Sequence, residues 1–131
     1  MASTIIPDVV RDQEIHSLGE AGTAHEAARM MAEHDISTVV VVDENGLLIG
    51  IVSERDMARR IVAADLKPQE TPLGDIMTRD VDTVSPKDTP FYALKLMLDG
   101  RYRHLPVVDD GRVVGMVSIR DLRLAVIAAS I

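Results

Sequence analysis

Cysteine is absent from this 131-residue chain, which excludes disulfides and thiol nucleophiles and agrees with a reducing compartment. Tryptophan is absent too. The three aromatic residues, Phe91, Tyr92 and Tyr102, are too few for the stacking platform of a single-strand nucleic-acid binder. Cations are scarce: 14 Lys and Arg against 21 Asp and Glu leave a net charge of −7 and a pI near 4.9. That field has the wrong sign for general binding to nucleic acid or to an anionic membrane, so any anionic ligand needs a local basic patch. No apolar run approaches the ~18 residues of a membrane span. The opening Met1-Ala2-Ser3-Thr4-Ile5-Ile6-Pro7-Asp8 lacks the basic start and apolar stretch of a secretory signal. The expectation is a cytoplasmic protein with neither nucleic acid nor membrane as partner.

What is present is an aliphatic globular composition, 47% hydrophobic with mean hydropathy +0.11, written twice. IGIVSERD at 49–56 returns as VGMVSIRD at 114–121. Earlier in each copy Thr23 matches Thr89, Ala27 matches Ala93, Met31 matches Met97 and Asp43 matches Asp109, all 66 residues apart. Past the turn the spacing drops to 65 (Gly50 and Gly115, Ser53 and Ser118, Asp56 and Asp121), so the first copy has one extra turn residue. Between the copies, 65–74 is polar with two prolines and reads as a linker. The two repeats then occupy 8–64 and 75–129.

Each copy reads as short strand, helix, strand, strand, helix. In the second, 81–84 is a brief β run stopped by Ser85-Pro86, and Asp88 or Thr89 caps a helix with Ala93, Leu94, Met97 and Leu98 at helical spacing, ended by Gly100. Strands at 105–108 and 113–117 flank Asp109-Asp110-Gly111, and a last helix covers 119–129. Pro106 suits the first residue of its strand. In the first copy the helix covers 24–34, strands cover 38–42 and 47–52 around Asp43-Glu44-Asn45-Gly46, and a helix covers 54–63. The methionines Met30, Met31 and Met97 read as core.

The repeated Ser-x-Arg-Asp at a strand-to-helix junction has two readings. As a capping box, the Ser oxygen accepts from the third helical N–H while the acid reaches back. As a ligand corner, helix N–H groups and the Ser hydroxyl face a phosphate while the carboxylate accepts from a ribose cis-diol. Gly50 and Gly115 fit a place where something approaches the backbone closely. His16, His25, His34 and His104 form no short-spaced metal set, and no acid pair or Ser-His arrangement makes a catalytic constellation. The expectation is neither an enzyme nor a metalloprotein, with no cofactor.

The order of elements, together with HLPVVDDGRVVGMVSIRDL at 104–122, DISTVVVVDENGLLIGIVSERDM at 35–57 and IMTRDVDTVSPKDT at 76–89, resembles paired cystathionine-β-synthase (CBS) domains, the Bateman module. The resemblance implies an α+β fold of tandem β-α-β-β-α repeats packed as a pseudo-twofold pair, with clefts for adenosine-containing ligands (AMP, ADP, ATP or related adenosyl compounds). By the same resemblance Asp121 and Asp56 hold ribose, and Ser118 and Ser53 lie near phosphate or ribose. Thr83 with Val84, and Ser17 with Leu18, line the base pocket. Arg103 with His104, and Ser37 with Thr38, face the phosphates. Pro106, Arg120 and Arg55 complete the expected ligand-binding set. The first copy departs more, having Ser17-Leu18-Gly19-Glu20 at its opening, Val40 in place of Pro106, and no cations where the second has Arg101 and Arg103.

The function expected is regulatory binding and sensing of an adenine nucleotide through a change of shape in a dimer that acts on a separate effector protein. The alternative is a ligand-free dimerisation scaffold. A homodimer is expected through Phe91-Tyr92 on one helix and Leu122, Leu124, Val126 and Ile127 on the last.

Overall fold

A computed structural model describes residues 3–129; Met1 and Ala2 of the opening stretch lie outside them. The chain divides into two compact units. His16–Val81 makes one, and the residues on either side of it make the other. The opening segment of each repeat therefore packs with the other repeat: 3–15 belongs with the second, and 73–81 with the first.

In the first unit, β1 (Ser17–Gly19) runs parallel to β2 (Thr38–Val42), which pairs antiparallel with β3 (Leu48–Ser53). Helix α1 (Ala24–His34) is capped by Thr23, whose hydroxyl accepts from Glu26 N at 3.2 Å, and ends where Asp35 turns left-handed at φ 52°. Ala24, Ala27 and Met31 on its inner face meet Val39, Val41 and Val52 of the sheet, with Leu73, Ile76 and Met77 of the incoming segment closing the core. The helix expected over 54–63 is regular only as α2 (Glu54–Asp56). It continues as a π-helical stretch, Met57–Val62, whose bonds skip five residues, as in Ala63 N to Ala58 O at 2.9 Å.

The second unit repeats the plan with α3 (Pro90–Gly100), the antiparallel pair β4 (His104–Asp109) and β5 (Arg112–Ser118), and α4 (Ile119–Ala129). Its core joins Ala93, Met97, Leu105, Val107, Val117 and Leu122 to Ile5 and Val10. Both hairpins carry a register shift just beyond the glycine, at Val41/Val42 and at Val107/Val108. Their turns differ. Asp110 and Gly111 both take positive φ (54° and 81°), the two-residue turn that matches strand twist. The longer first turn is instead held by Asp43, whose carboxylate accepts from Asn45 N at 2.8 Å and Leu47 N at 3.0 Å.

Three expectations are corrected here. The run 81–84 forms no strand; only Val84 bridges to Val107. In the first unit Val40 N donates to His16 O at 3.3 Å, and Pro106, at Val40's place, has no N–H to give Asp82. Pro106 is also the third residue of β4, not its first, since its missing donor faces this short edge while its carbonyl accepts from Val84 N at 3.1 Å. Finally, Gly100 is the last helical residue and Arg101 takes the left-handed turn at φ 58°. Glycine is needed at 100 for space, because a Cβ there would lie 2.0 Å from the Tyr102 ring.

What approaches Gly50 is the chain itself. Thr78 exchanges backbone bonds with Ile51 at 2.9 and 3.0 Å, and a Cβ on Gly50 would sit 2.7 Å from Met77 Sδ and 2.9 Å from Thr78 O. At Gly115 the neighbour is the flexible end of Gln13, 3.0 Å away, whose amide brackets Met116 N and O at 2.8 and 3.0 Å. Gly50→Ala is expected to destabilise by ~1–3 kcal/mol, the scale of overpacking, and Gly115→Ala by clearly less. Urea denaturation of both variants checks the order; equal midpoints would refute it.

Candidate functional site

The strand-to-helix corner is built on the same backbone plan in the two units. Thr38 pairs with Ser53 across β2 and β3, as His104 pairs with Ser118 across β4 and β5. The first helical N–H then reaches back to the residue ahead of the middle strand: Glu54 N donates to Ser37 O at 3.0 Å, and Ile119 N to Arg103 O at 2.8 Å. These bonds place Ser37 and Thr38 beside Ser53 and Asp56, and Arg103 and His104 beside Ser118 and Asp121.

Both capping boxes are closed. Asp56 N donates to Ser53 Oγ at 3.2 Å, and Asp56 Oδ2 accepts from Ser53 N at 2.8 Å and Ser53 Oγ at 3.1 Å. In the second unit Asp121 N donates to Ser118 Oγ at 3.1 Å and Asp121 Oδ2 accepts from Ser118 N at 3.0 Å. Each cap engages one carboxylate oxygen, so Oδ1 of each Asp retains acceptor capacity toward a ligand hydroxyl. The four residues are half-buried.

The first-strand residues differ in exposure: Ser17 and Thr83 are exposed, Leu18 is half-buried and Val84 is buried. Ser17 and Leu18 stand opposite Val40 and Val41 on β1, and Val84 bridges to Val107 with exposed Thr83 before it. Arg55, Arg103 and Arg120 are exposed, and Pro106 is buried in β4. Arg101 is the helix C-cap in left-handed conformation, where its positive charge complements the negative end of the helix dipole. Thr38 is 7% exposed, and among the described residues its Oγ1 is the buried side-chain polar atom without a hydrogen-bond partner.

Two features of the surroundings have no counterpart in the sequence reading. His16 and His34 stack at 3.9 Å with planes 24° apart, joining the start of β1 to the end of α1. Tyr102 donates to Asp82 at 2.5 Å, next to Thr83. Among the described residues no group of three or more His, Cys, Asp or Glu could hold a metal ion, and no helix is long and apolar enough to cross a membrane.

A family model for the CBS domain matches the chain twice, over residues 6–63 and 73–128. The chain belongs to the CBS domain family. The paired match makes it a tandem CBS pair of mixed helix and strand. It is 36% identical over 135 residues to the CBS domain-containing protein CBSX3, mitochondrial, of Arabidopsis thaliana, covering 95% of this chain and 66% of that one. Across the curated relatives it matches, the chain spans two thirds of their length or less, down to 18%. Among solved structures it superposes on a CBS domain protein from Pyrobaculum aerophilum complexed with AMP (TM-score 0.83, 29% identity, 94% and 95% of the two chains). It also superposes on a CBS domain pair in complex with 5-methylthioadenosine and S-adenosyl-L-methionine (TM-score 0.86, 25% identity, 100% of both chains).

Burial first, and then the hydrogen bond and charge of Asp82, raise the Tyr102 pKa well above the ordinary tyrosine value. The unfolded chain releases that proton near pH ~10 while the folded chain holds it. The stability Tyr102 contributes is thus complete below pH ~10 and is lost as pH rises toward the folded value. Chemical denaturation at stepped alkaline pH is expected to show a steeper decline for the native chain than for Tyr102→Phe; parallel curves would contradict it.

Proposed function

We propose that this CBS pair is a regulatory module, not a catalyst, that binds an adenosine-containing ligand at its strand-to-helix corners and transmits occupancy to a separate effector protein. The observation that carries the reading is the doubled corner: a half-buried carboxylate with one oxygen in the cap and one left to accept. The adenosyl compounds held by two structural relatives, AMP in one and 5-methylthioadenosine with S-adenosyl-L-methionine in the other, support the class of ligand. Asp121 and Asp56 take the ribose hydroxyls, with Ser118 and Ser53 beside them. Thr83, Val84, Ser17 and Leu18 face the base, and Pro106 flanks the pocket. Arg103, His104, Arg120, Arg55, Ser37 and Thr38 stand toward the phosphates. A cysteine-free chain of this kind fits the cytoplasm.

The second corner is the stronger one for phosphorylated ligands, because it brings Arg103 and His104 against a molecular charge of −7 where the first brings Ser37 and Thr38. A second reading, a ligand-free scaffold, is favoured by the closed capping boxes, which give Ser-x-x-Asp a structural duty of its own. Asp121→Asn separates the two, since it keeps shape and an acceptor but removes the charge. Calorimetric titration with AMP is expected to weaken by ~1.5–3 kcal/mol, the scale of a charge-assisted hydrogen bond, with little change in Tm. A fall in Tm with affinity intact would reduce Ser-x-x-Asp to a cap, and a native chain that binds no AMP would establish the scaffold reading instead.

The module acts as a homodimer in this proposal. Phe91, Leu98, Leu124 and Ile127 are exposed on α3 and α4, with Phe91 68% accessible. Leu122, expected on that surface, is instead fully buried in the core against Leu105 and Val117. Analytical ultracentrifugation is expected to give a dimer; a soluble species that remains at 14.3 kDa across concentration would remove it.

A further inference from the structure

The two carboxylates of the repeated corner differ in what surrounds them. Arg60, one turn after Asp56, places Nε 3.7 Å from Asp56 Oδ1, and the Asp56 side chain is only 14% exposed. The guanidinium is pinned there: its Nη1 donates to Ile76 O at 2.7 Å, with Met77 O at 3.4 Å. Asp56 Oδ2 already accepts twice, from Ser53 N and Ser53 Oγ. A carboxylate oxygen accepts about two hydrogen bonds, so the cap saturates Oδ2 and leaves only Oδ1, which faces a fixed cation.

The second unit has none of this. The position 65 residues on from Arg60 is Ala125, and Asp121 is in no ion pair among the described residues. Its Oδ2 accepts one bond, from Ser118 N, so Asp121 keeps more acceptor directions than Asp56 and no neighbouring guanidinium competes for them.

We infer that Arg60 is a specificity-determining residue that holds the Asp56 corner in self-paired form, so that a nucleoside diol binds there only by competing with the guanidinium. The inference rests on the ribose role proposed for these carboxylates. It deepens that role by making the inequality of the corners a property of the carboxylate as well as of the phosphate-facing side chains. It also gives the first corner a connection. A ligand that displaces Arg60 from Asp56 acts on the residue that holds Ile76 and Met77, the segment that crosses β3 at Gly50 and leads into the second repeat.

The test uses adenosine, which has no phosphate, so that loss of a cation does not weaken binding by itself. In an Asp121→Asn background, residual adenosine binding reports the Asp56 corner. Adding Arg60→Gln, which retains a donor for the Ile76 carbonyl while removing the charge, is expected to tighten that binding by about twofold to fivefold, the range of a partly exposed ion pair. Adding Asp56→Asn to this variant is expected to abolish the gain. Arg60→Lys, which keeps the charge, is expected to leave adenosine affinity near its starting value, and circular dichroism confirms that each variant is folded. Unchanged, weaker or undetectable adenosine binding on Arg60→Gln overturns the inference. A native chain that binds adenosine and loses affinity on Asp121→Asn, with no gain on Arg60→Gln, leaves the ribose reading standing and removes this one alone. A native chain that binds no adenosine removes both.

Discussion

The short reciprocal bond between a serine and an aspartate three residues later organises each repeat. It closes the first turn of the helix after the hairpin, and the same helix start donates back to the residue ahead of the middle strand. Three chain segments are thereby tied at one point. A helix start otherwise leaves N–H groups without partners; here the serine hydroxyl accepts from one of them while the aspartate carboxylate accepts from the serine N–H, and the pair sets the angle at which the helix leaves the sheet. In the proposed reading, function and folding use the same atoms. A carboxylate has two oxygens, and the cap requires one.

Duplication supplied the plan twice, and local chemistry then made the copies unequal. Proline at 106 removes the donor that Val40 uses, which shortens the parallel ladder of the second unit to a single bridge. Arg60 pairs with one aspartate, while Ala125 stands at its place in the second unit and Asp121 is in no ion pair among the described residues. Thr78 covers the edge of β3 with backbone where Gln13 covers that of β5 with a side-chain amide. None of these changes disturbs the cores, whose Ala, Met and Val positions coincide between repeats.

Much of this was legible in the residues. Helical spacing located α1 within its observed bounds, and the glycine-bearing turns located both hairpins. The doubled Ser-x-Arg-Asp marked the corner before any geometry was known. Less legible were the features that depend on which N–H points where. The run at 81–84 has the β-forming residues of a strand, yet whether it pairs is decided by a proline more than twenty residues later. Leu122 reads like its exposed neighbours Leu124 and Ile127, because three leucines or isoleucines within one helix differ only in the direction they face.

The sequence by itself determined the repeat, the order of elements, the charge and the pair of acid-bearing corners, since these follow from periodicity and local backbone chemistry. Tertiary structure decided three things. The opening segment of each repeat packs with the other repeat, because its apolar residues are sequence neighbours of one copy and core neighbours of the other. The glycine at 50 serves the crossing of Met77 and Thr78, since only a residue without Cβ lets a second backbone come within bonding distance of the strand at that point. The pairing of Arg60 with Asp56 depends on a carbonyl sixteen residues away that fixes the guanidinium, a contact set by where the chain returns and not by the residues around it.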